Sequence, residues 1–356
     1  MQLVDDNFKD NKIVVHFIDG GTFFEGYYTF MNRYLPEYNH YFITTSEINK
    51  SNTFFIEDYK NLFNKKRYKD IKELLCKSYK IIISGNFHLY LDLFIMFSNR
   101  KLLKKTFVQL WGGDFYYLNN GGSIKDRIAH WVMKRFYSKC KALVFLIPED
   151  YSEFSKITNV HNDYYVAQMP LKEDKIYVNE DGSDDEINVL VGNSATESNN
   201  HIFVFDLLSK YREKIQVFCP LSYGDESYKD IVIKYGQKAF GDRFHAITEF
   251  MDSKEYNSFL NRMLIGIFAN DRQQALGNIL TLLRLNKKIF LKQDSVMWNN
   301  FIDSKKVQVY SVQSIESMGI NEFVDYPEII AKENAEKIED FLYGNQRILD
   351  WKAVLK

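Results

Sequence analysis

Two junctions in the second half of the chain carry residue types suited to holding a phosphate-bearing ligand. In Val191-Gly-Asn-Ser-Ala-Thr-Glu-Ser-Asn-Asn-His-Ile202 an apolar run over 187–191 breaks at Gly192 and gives way to a helical pattern over 203–211, with Ser and Asn in capping positions. Such a break leaves backbone N–H groups open at one point, and a helix N-terminus favours an anion. The residues presented there are Gly192, Asn193 and Ser194. In Phe268-Ala-Asn-Asp-Arg-Gln-Gln-Ala-Leu-Gly-Asn-Ile-Leu280 a second strand-to-helix junction predicts Asp271 as N-cap of a helix beginning near Gln274. Arg272, Gln273 and Gln274, followed by Gly277 and Asn278, supply a guanidinium and amides for a pyrophosphate and its sugar hydroxyls. An ordinary cap with surface Arg and Gln has the same pattern. Tyr223 follows another strand and suits stacking on a base or bonding a sugar, with a plain loop tyrosine as the alternative.

Groups suited to proton transfer lie in the first half. Gln109-Leu-Trp-Gly-Gly-Asp-Phe-Tyr-Tyr117 puts Asp114 in a glycine-rich turn at a strand's carboxyl end, where a carboxylate could act as general base toward an acceptor hydroxyl. An Asx-type turn, in which Asp114 bonds backbone, is the competing reading. Asp19, Glu25 and His16 surround the end of the first strand and are rival bases. The stretch 125–141 carries Lys125, Arg127, Lys134, Arg135, Lys139 and Lys141 against Asp126 alone, interleaved with apolar residues that include Trp131. That pattern suits an anionic bilayer surface, or equally a packed helix with a solvated basic face.

The elements that position these groups alternate. Strand patterns at 12–18, 40–44, 80–84, 106–111, 142–147 and 164–168 are interspersed with helical ones from about Phe23, near 59–79 and at 123–139. A polar, acidic run over 179–186 reads as a linker. Beyond it, strands at 187–191, 215–219, 244–248, 264–268, 288–291 and 307–310 alternate with helices at 201–211, 228–240, 253–261 and 274–285. This predicts two doubly wound α/β domains, 1–178 and 187–327, facing across a cleft, with a helical tail at 328–356 crossing back to the first.

Composition narrows the function. With 356 residues, 46% of them hydrophobic, two ordinary cores are expected, and 29 Phe and 24 Tyr beside 5 Pro argue against disorder. Cys76, Cys140 and Cys219 form neither a disulfide framework nor a zinc spacing, which fits a reducing, cytoplasmic setting. No stretch approaches a membrane span, and there is no secretory leader pattern. Net charge is −1, yet residues up to Pro170 hold 23 Lys and Arg against 18 Asp and Glu, leaving 23 against 29 beyond. One half is therefore basic and suited to an anionic partner. Near-neutral charge with core-periodic aromatics excludes a nucleic-acid binder. No Asp-x-Asp triplet or histidine cluster suggests a metal, so no metal or other cofactor is expected.

The pieces Val191-Gly-Asn-Ser with Ser198-Asn-Asn-His-Ile202, Trp111-Gly-Gly-Asp-Phe-Tyr116, and Arg272-Gln-Gln with Gly277 occur in an order and spacing that resemble the bacterial TDP-N-acetylfucosamine:lipid II N-acetylfucosaminyltransferase family, the 4-alpha-L-fucosyltransferases. Trp298 is a looser echo, and Ala275 stands where that family carries glycine. The resemblance implies a GT-B fold of two Rossmann-like domains and a glycosyltransferase; the missing Asp-x-Asp triplet makes it metal-independent, and in-line attack assisted by a carboxylate would invert the anomeric centre. The resemblance also implies a TDP-sugar held by Gly192, Asn193, Ser194, Arg272, Gln273 and Gln274, with Tyr223, Gly277 and Asn278 as further candidates of the same donor site. A polyprenyl-diphosphate-linked acceptor would meet Asp114, Asp19 or Glu25, with Trp111, Arg127, Trp131, Lys134 and Arg135 toward the membrane. Work at the cytoplasmic face of the bacterial inner membrane, in surface polysaccharide synthesis akin to enterobacterial common antigen, goes with it. A sugar-nucleotide epimerase and a non-catalytic membrane-surface scaffold are the rival readings.

Overall fold

Residues 12–18, Lys-Ile-Val-Val-His-Phe-Ile, are apolar on both faces, as a strand covered by helices on either side must be. They form β1 (Lys12–Ile18), from which Val15 and Phe17 enter one core while Val14 and Ile18 enter another. The computed structural model, which describes residues 12–21, 23–119, 122–172 and 186–356, repeats this layering in two compact units. The first contains 12–172 with 344–356, and the second contains 186–343. Of the acidic run expected as a linker, only Glu186 lies within the described residues.

In the first unit β1 is joined by β2 (Tyr38–Thr44), β3 (Thr53–Phe55), β4 (Lys80–Ser84), β5 (Thr106–Leu110), β6 (Ala142–Phe145) and β7 (Tyr164–Val166). Among the described residues they make a wholly parallel sheet of order β3-β2-β1-β4-β5-β6-β7. The winding reverses between β1 and β4, where Ile18 lies opposite Ser84. Helix α1 (Phe24–Tyr34) covers one face. The other is covered by α2 (Lys65–Lys77), α3 (Leu89–Ser98), α4 (Arg100–Leu103), α5 (Ile124–Tyr137) and α6 (Glu149–Thr158).

The second unit carries β8 (Ile187–Val191), β9 (Ile215–Pro220), β10 (Phe244–Ile247), β11 (Ile265–Phe268), β12 (Lys288–Leu291) and β13 (Tyr310–Ser311). Their order is β10-β9-β8-β11-β12-β13, again parallel, with the reversal between β8 and β11. Its helices are α7 (His201–Leu208), α8 (Glu226–Phe240), α9 (Ser253–Asn261), α10 (Leu276–Arg284), α11 (Val296–Asn299), α12 (Ile320–Val324) and α13 (Glu328–Tyr343). The last helix, α14 (Gln346–Leu355), belongs to the first unit. Segment 328–356 is thus two helices on different units: α13 is tied to α10 by the Arg284–Glu339 ion pair (2.7 Å), and α14 lies over the α1 face.

Several elements differ from the sequence expectation. Helix α3, Leu-Tyr-Leu-Asp-Leu-Phe-Ile-Met-Phe-Ser, is apolar nearly all round and has no amphipathic stripe to announce it. Strand β3 and helix α6 were also not anticipated, being short or weakly patterned. The strand expected at 307–310 contracts to Tyr310–Ser311, because the Gln308 N–H donates to Asn334 Oδ1 (3.0 Å) and the Gln308 carbonyl accepts from Asn334 Nδ2 (2.8 Å). A side-chain carboxamide there takes the place of a neighbouring strand.

Helix α14 is anchored by Trp351, which is fully buried, packs edge-on against Tyr27 (5.5 Å between ring centroids) and donates its indole N–H to the Gln168 carbonyl (2.9 Å). Tyr38 and Lys80 add hydrogen bonds to the Leu355 and Val354 carbonyls. Trp351→Ala is expected to destabilise the first unit by about 3–5 kcal/mol in urea unfolding of the full chain.

Candidate active site

Ligands of open parallel α/β sheets bind outside the carboxyl ends of the strands where the winding reverses. In the second unit that point lies between β8 and β11, and the two loops singled out in the sequence, 192–200 and 269–275, meet there. The Gly192 N–H donates to the Ile267 carbonyl, and Asn200 Nδ2 to the Ala269 carbonyl (2.7 Å). The Asp271 N–H reaches the Ser198 carbonyl at 3.0 Å. Asn199 is the hub: its Oδ1 accepts from the Asn193 N–H (3.2 Å) and Asn270 Nδ2 (2.9 Å), while its Nδ2 donates to the Ser194 carbonyl and Thr196 Oγ1. Gln274 completes the ring by donating to Thr196 Oγ1 (2.8 Å) and Ser194 Oγ (3.2 Å) and accepting from Ser198 Oγ (2.7 Å).

Gly192 makes the first loop possible. Its φ is +69°, and a Cβ there would lie 2.6 Å from Nε2 of His201. That histidine is fully buried and burial pushes its pKa down to about 4, so it packs beneath the loop uncharged. Gly224, at φ +125°, lets the β9 loop approach so closely that a Cβ would meet the Ala195 carbonyl oxygen at 2.3 Å. This approach brings Tyr223 alongside, with its ring largely exposed and its hydroxyl accepting from Asn193 Nδ2 (2.8 Å).

The structure corrects the expected phosphate cradle. The N–H groups of Gly192, Asn193, Ala195, Thr196, Asn199 and Asn200 already have acceptors in the protein, and α7 starts at a left-handed Asn200 with no side-chain cap. The second junction differs too. Helix α10 begins at Leu276 behind a left-handed Ala275 (φ +59°), and Asp271 is ion-paired with Lys292 instead of capping. Arg272 is half-buried, Gln273 is buried beside Gln274, and Asn278 donates to Tyr256 Oη (2.9 Å). Gly277 is exposed with open space where a Cβ would stand, so nothing steric requires glycine there. Two buried acceptors in this ring, Asn193 Oδ1 and Asn270 Oδ1, have no hydrogen-bond partner. Unpaired buried acceptors are costly unless a ligand supplies donors.

In the first unit the reversal lies between β1 and β4, and the groups there differ from those expected to do the chemistry. Asp114 has no exposed surface. Its carboxylate accepts from the Asn86 N–H (3.0 Å) and the Trp111 N–H (3.0 and 3.1 Å), tying the β4 and β5 loops together. Burial pushes its pKa up to about 6 against those hydrogen bonds. A carboxylate so enclosed has no free face toward an acceptor hydroxyl, and Asp114 organises two loops by bonding the Trp111 N–H three residues back and the Asn86 N–H, instead of the forward N–H of an Asx-type turn. His16 is buried between Tyr27 and His40, with a pKa lowered well below the usual histidine value by burial and by His40. Glu25 is held by Lys50 at 2.9 Å.

Asp19 remains accessible. Its Oδ2 lies 3.0 Å from His88 Nε2, and its Oδ1 accepts from Thr45 Oγ1 (2.8 Å). Partial burial would raise its pKa, but the hydrogen bonds from His88, Thr45 and Tyr59 and the His88 charge hold it below the usual value. His88 was missed in the sequence, although Ser84-Gly-Asn-Phe-His88 repeats the strand–glycine–helix pattern found at Gly192. Phe23 and Phe87 flank Trp111 edge-on at 5.2 and 6.2 Å, giving this end an aromatic wall.

Helix α5 exposes Ile124, Ile128 and Trp131 along one stripe, with Arg127 and Arg135 also exposed. Lys134 is turned inward instead, donating to the Ile157 carbonyl at 3.1 Å. Among the described residues no group of three or more His, Cys, Asp or Glu could hold a metal ion, and no helix is long and apolar enough to cross a membrane.

Both units are Rossmann-like, and known proteins share the architecture. The chain is similar to a glycosyltransferase from Rickettsia africae (TM-score 0.65, 11% identity, covering 98% of each chain). It is similar to the sucrose-phosphate synthase of Thermosynechococcus elongatus (0.66, 10% identity, 97% of this chain and 96% of that one). An alpha,alpha-trehalose-phosphate synthase (UDP-forming) from Burkholderia xenovorans also matches (0.60, 9% identity, 98% of this chain and 100% of that one). The fold is therefore of the GT-B glycosyltransferase class. The sequence pattern of one family, 4-alpha-L-fucosyltransferase glycosyl transferase group 56, matches residues 33–355, and the chain belongs to that family. It is a glycosyltransferase, with a nucleotide-sugar donor and a glycan acceptor, which displaces the epimerase and scaffold readings.

Two measurements follow from local energetics. Left-handed backbone disfavours an alanine by about 1–2 kcal/mol, partly offset by glycine's greater freedom when unfolded. Ala275→Gly is accordingly expected to stabilise the second unit by roughly 0.5–1 kcal/mol in denaturant titration. Asp150, buried at the start of α6 with Tyr116 donating to its Oδ1, has its pKa pushed by burial up to about 8 from its ordinary 3.8. The folded state holds this proton more tightly than the unfolded chain, so the stabilisation is complete below pH ~4 and is lost as pH rises to ~8. Asp150→Asn should therefore gain on the wild type across that window by up to about 1.4 kcal/mol per pH unit, as read from urea midpoints at pH 5 and pH 8.

Proposed function

We infer that this glycosyltransferase takes its sugar, a deoxy-amino sugar of the N-acetylfucosamine type, from a TDP-linked donor at the second unit's β8/β11 end. The observation that carries the donor assignment is the pair of buried, unpartnered carboxamide oxygens, Asn193 Oδ1 and Asn270 Oδ1, in a ring of hydroxyls and amides at the winding reversal. Sugar or ribose hydroxyls donating to those oxygens would satisfy both. Tyr223 offers a face for the base, and Arg272 meets charge on the departing diphosphate. The TDP and amino-sugar specifics come from the sequence resemblance.

The acceptor is a polyprenyl-diphosphate-linked saccharide, bound at the first unit's β1/β4 end beside the aromatic wall of Phe23, Phe87 and Trp111. The exposed Ile124, Ile128 and Trp131 stripe, with Arg127 and Arg135, supports docking on the anionic inner face of the bacterial inner membrane. Attack by the acceptor hydroxyl in line with the leaving diphosphate inverts the anomeric centre without a metal ion.

Thermal shift and calorimetry against TDP, UDP, GDP and CMP test the donor. TDP at about 100 times its Kd should stabilise the chain by roughly 2.7 kcal/mol, with the other three far weaker and the effect lost in Arg272→Ala. Selectivity for another nucleotide reassigns the donor, and indifference to all four sinks the donor assignment.

A further inference from the structure

The accessible titratable groups at the first unit's reversal are Asp19, directly after β1, and His88, four residues beyond the end of β4 and immediately before α3. Their side chains retain 43% and 34% exposure, unlike Asp92, Asp114, Asp150 and His16, which have none. We propose that His88 is the general base of the transfer and that Asp19 is its positioning residue, an assignment that rests on the acceptor binding at this end as inferred above.

The geometry fixes which nitrogen does the work. Nε2 of His88 faces Asp19 Oδ2 at 3.0 Å, so an ionised Asp19 favours the tautomer that carries its proton on Nε2. The lone pair is then on Nδ1. Asp19 is itself held: Oδ1 accepts from Thr45, at the end of β2, and the Tyr59 phenol also hydrogen-bonds the carboxylate. The imidazole rests against the Tyr59 ring with centroids 4.6 Å apart, and Tyr59 is buried. Besides Asp19, the titratable group against the imidazole is this phenol, which burial and the Asp19 charge keep protonated. A base oriented by a carboxylate that is in turn fixed by neighbours is the arrangement proton abstraction requires.

In the reaction His88 Nδ1 takes the proton of the acceptor hydroxyl as its oxygen bonds to the anomeric carbon. The bond from that carbon to the diphosphate oxygen breaks, and its electron pair leaves on the nucleoside diphosphate. The imidazolium formed is stabilised by Asp19 across the 3.0 Å contact.

The test uses the full chain with TDP-linked 4-acetamido-4,6-dideoxygalactose and a polyprenyl-diphosphate-linked saccharide. His88→Ala is expected to lower kcat by about 10²–10⁴-fold while the Kd for TDP stays within about twofold. His88→Gln, which keeps a hydrogen bond to Asp19 but has no basic nitrogen, should fall as far, and this guards against loss by misfolding. The acid limb of the kcat/KM profile should vanish in both variants, and added imidazole should restore part of the turnover of His88→Ala. Asp19→Asn should lose turnover without losing TDP binding. Wild-type transfer with His88→Ala within about fivefold of it would overturn the dyad alone. A wild type that transfers no sugar from this donor to this acceptor would overturn the substrate assignment on which the dyad rests.

Discussion

Loops at the carboxyl ends of buried parallel strands carry backbone amides that no neighbouring strand can satisfy, and both units depend on meeting that need with one buried side chain. In the first unit it is the Asp114 carboxylate, which takes the Asn86 and Trp111 N–H groups. In the second it is the Asn199 carboxamide, which takes the Asn193 N–H on one side and bonds Asn270 of the facing loop on the other. Each group closes the loops of two strands that flank or adjoin the winding reversal, and the residues available for chemistry are the ones left over. Asp19 and His88 remain in the first unit; Asn193, Asn270 and Tyr223 remain in the second.

This division explains why a charged residue in a conspicuous motif is spent on the backbone. Asp114 stands in the glycine-rich Trp111-Gly-Gly-Asp segment because Gly112, at positive φ, turns the chain so that its carboxylate faces back onto the Trp111 N–H. Desolvation raises its pKa to about 6 while the backbone N–H groups that it accepts from oppose the rise, which marks a structural anion. The exposed Asp19 and His88 form a softer, solvent-reached pair.

Much of the architecture was legible because buried parallel strands are unusually explicit. The runs at 12–18, 80–84, 187–191 and 288–291 match the observed strands residue for residue. The loops at Gly192 and Arg272 were also legible as partners, since strand, glycine and helix succeed one another in both halves. Helix α3 was not, because a nearly uniform apolar segment has no period, and His88, immediately before the same helix, disappeared with it. Ala275 offers the opposite lesson: a residue that ordinarily continues a helix is held left-handed by its surroundings.

Sequence alone determined the two α/β halves, because apolar periodicity is a local property written along the chain, and the family, whose short loop motifs carry the resemblance that implies the GT-B class. Tertiary structure alone decided which polar groups are spent on the protein itself. Whether a carboxylate meets a backbone N–H or solvent depends on distances across β1, β4 and β5, strands far apart in sequence and adjacent in the sheet. Burial then raises the pKa of Asp114, and which of Asp114, Asp19 and His88 stays open to solvent was unreadable until the sheet order brought their loops together.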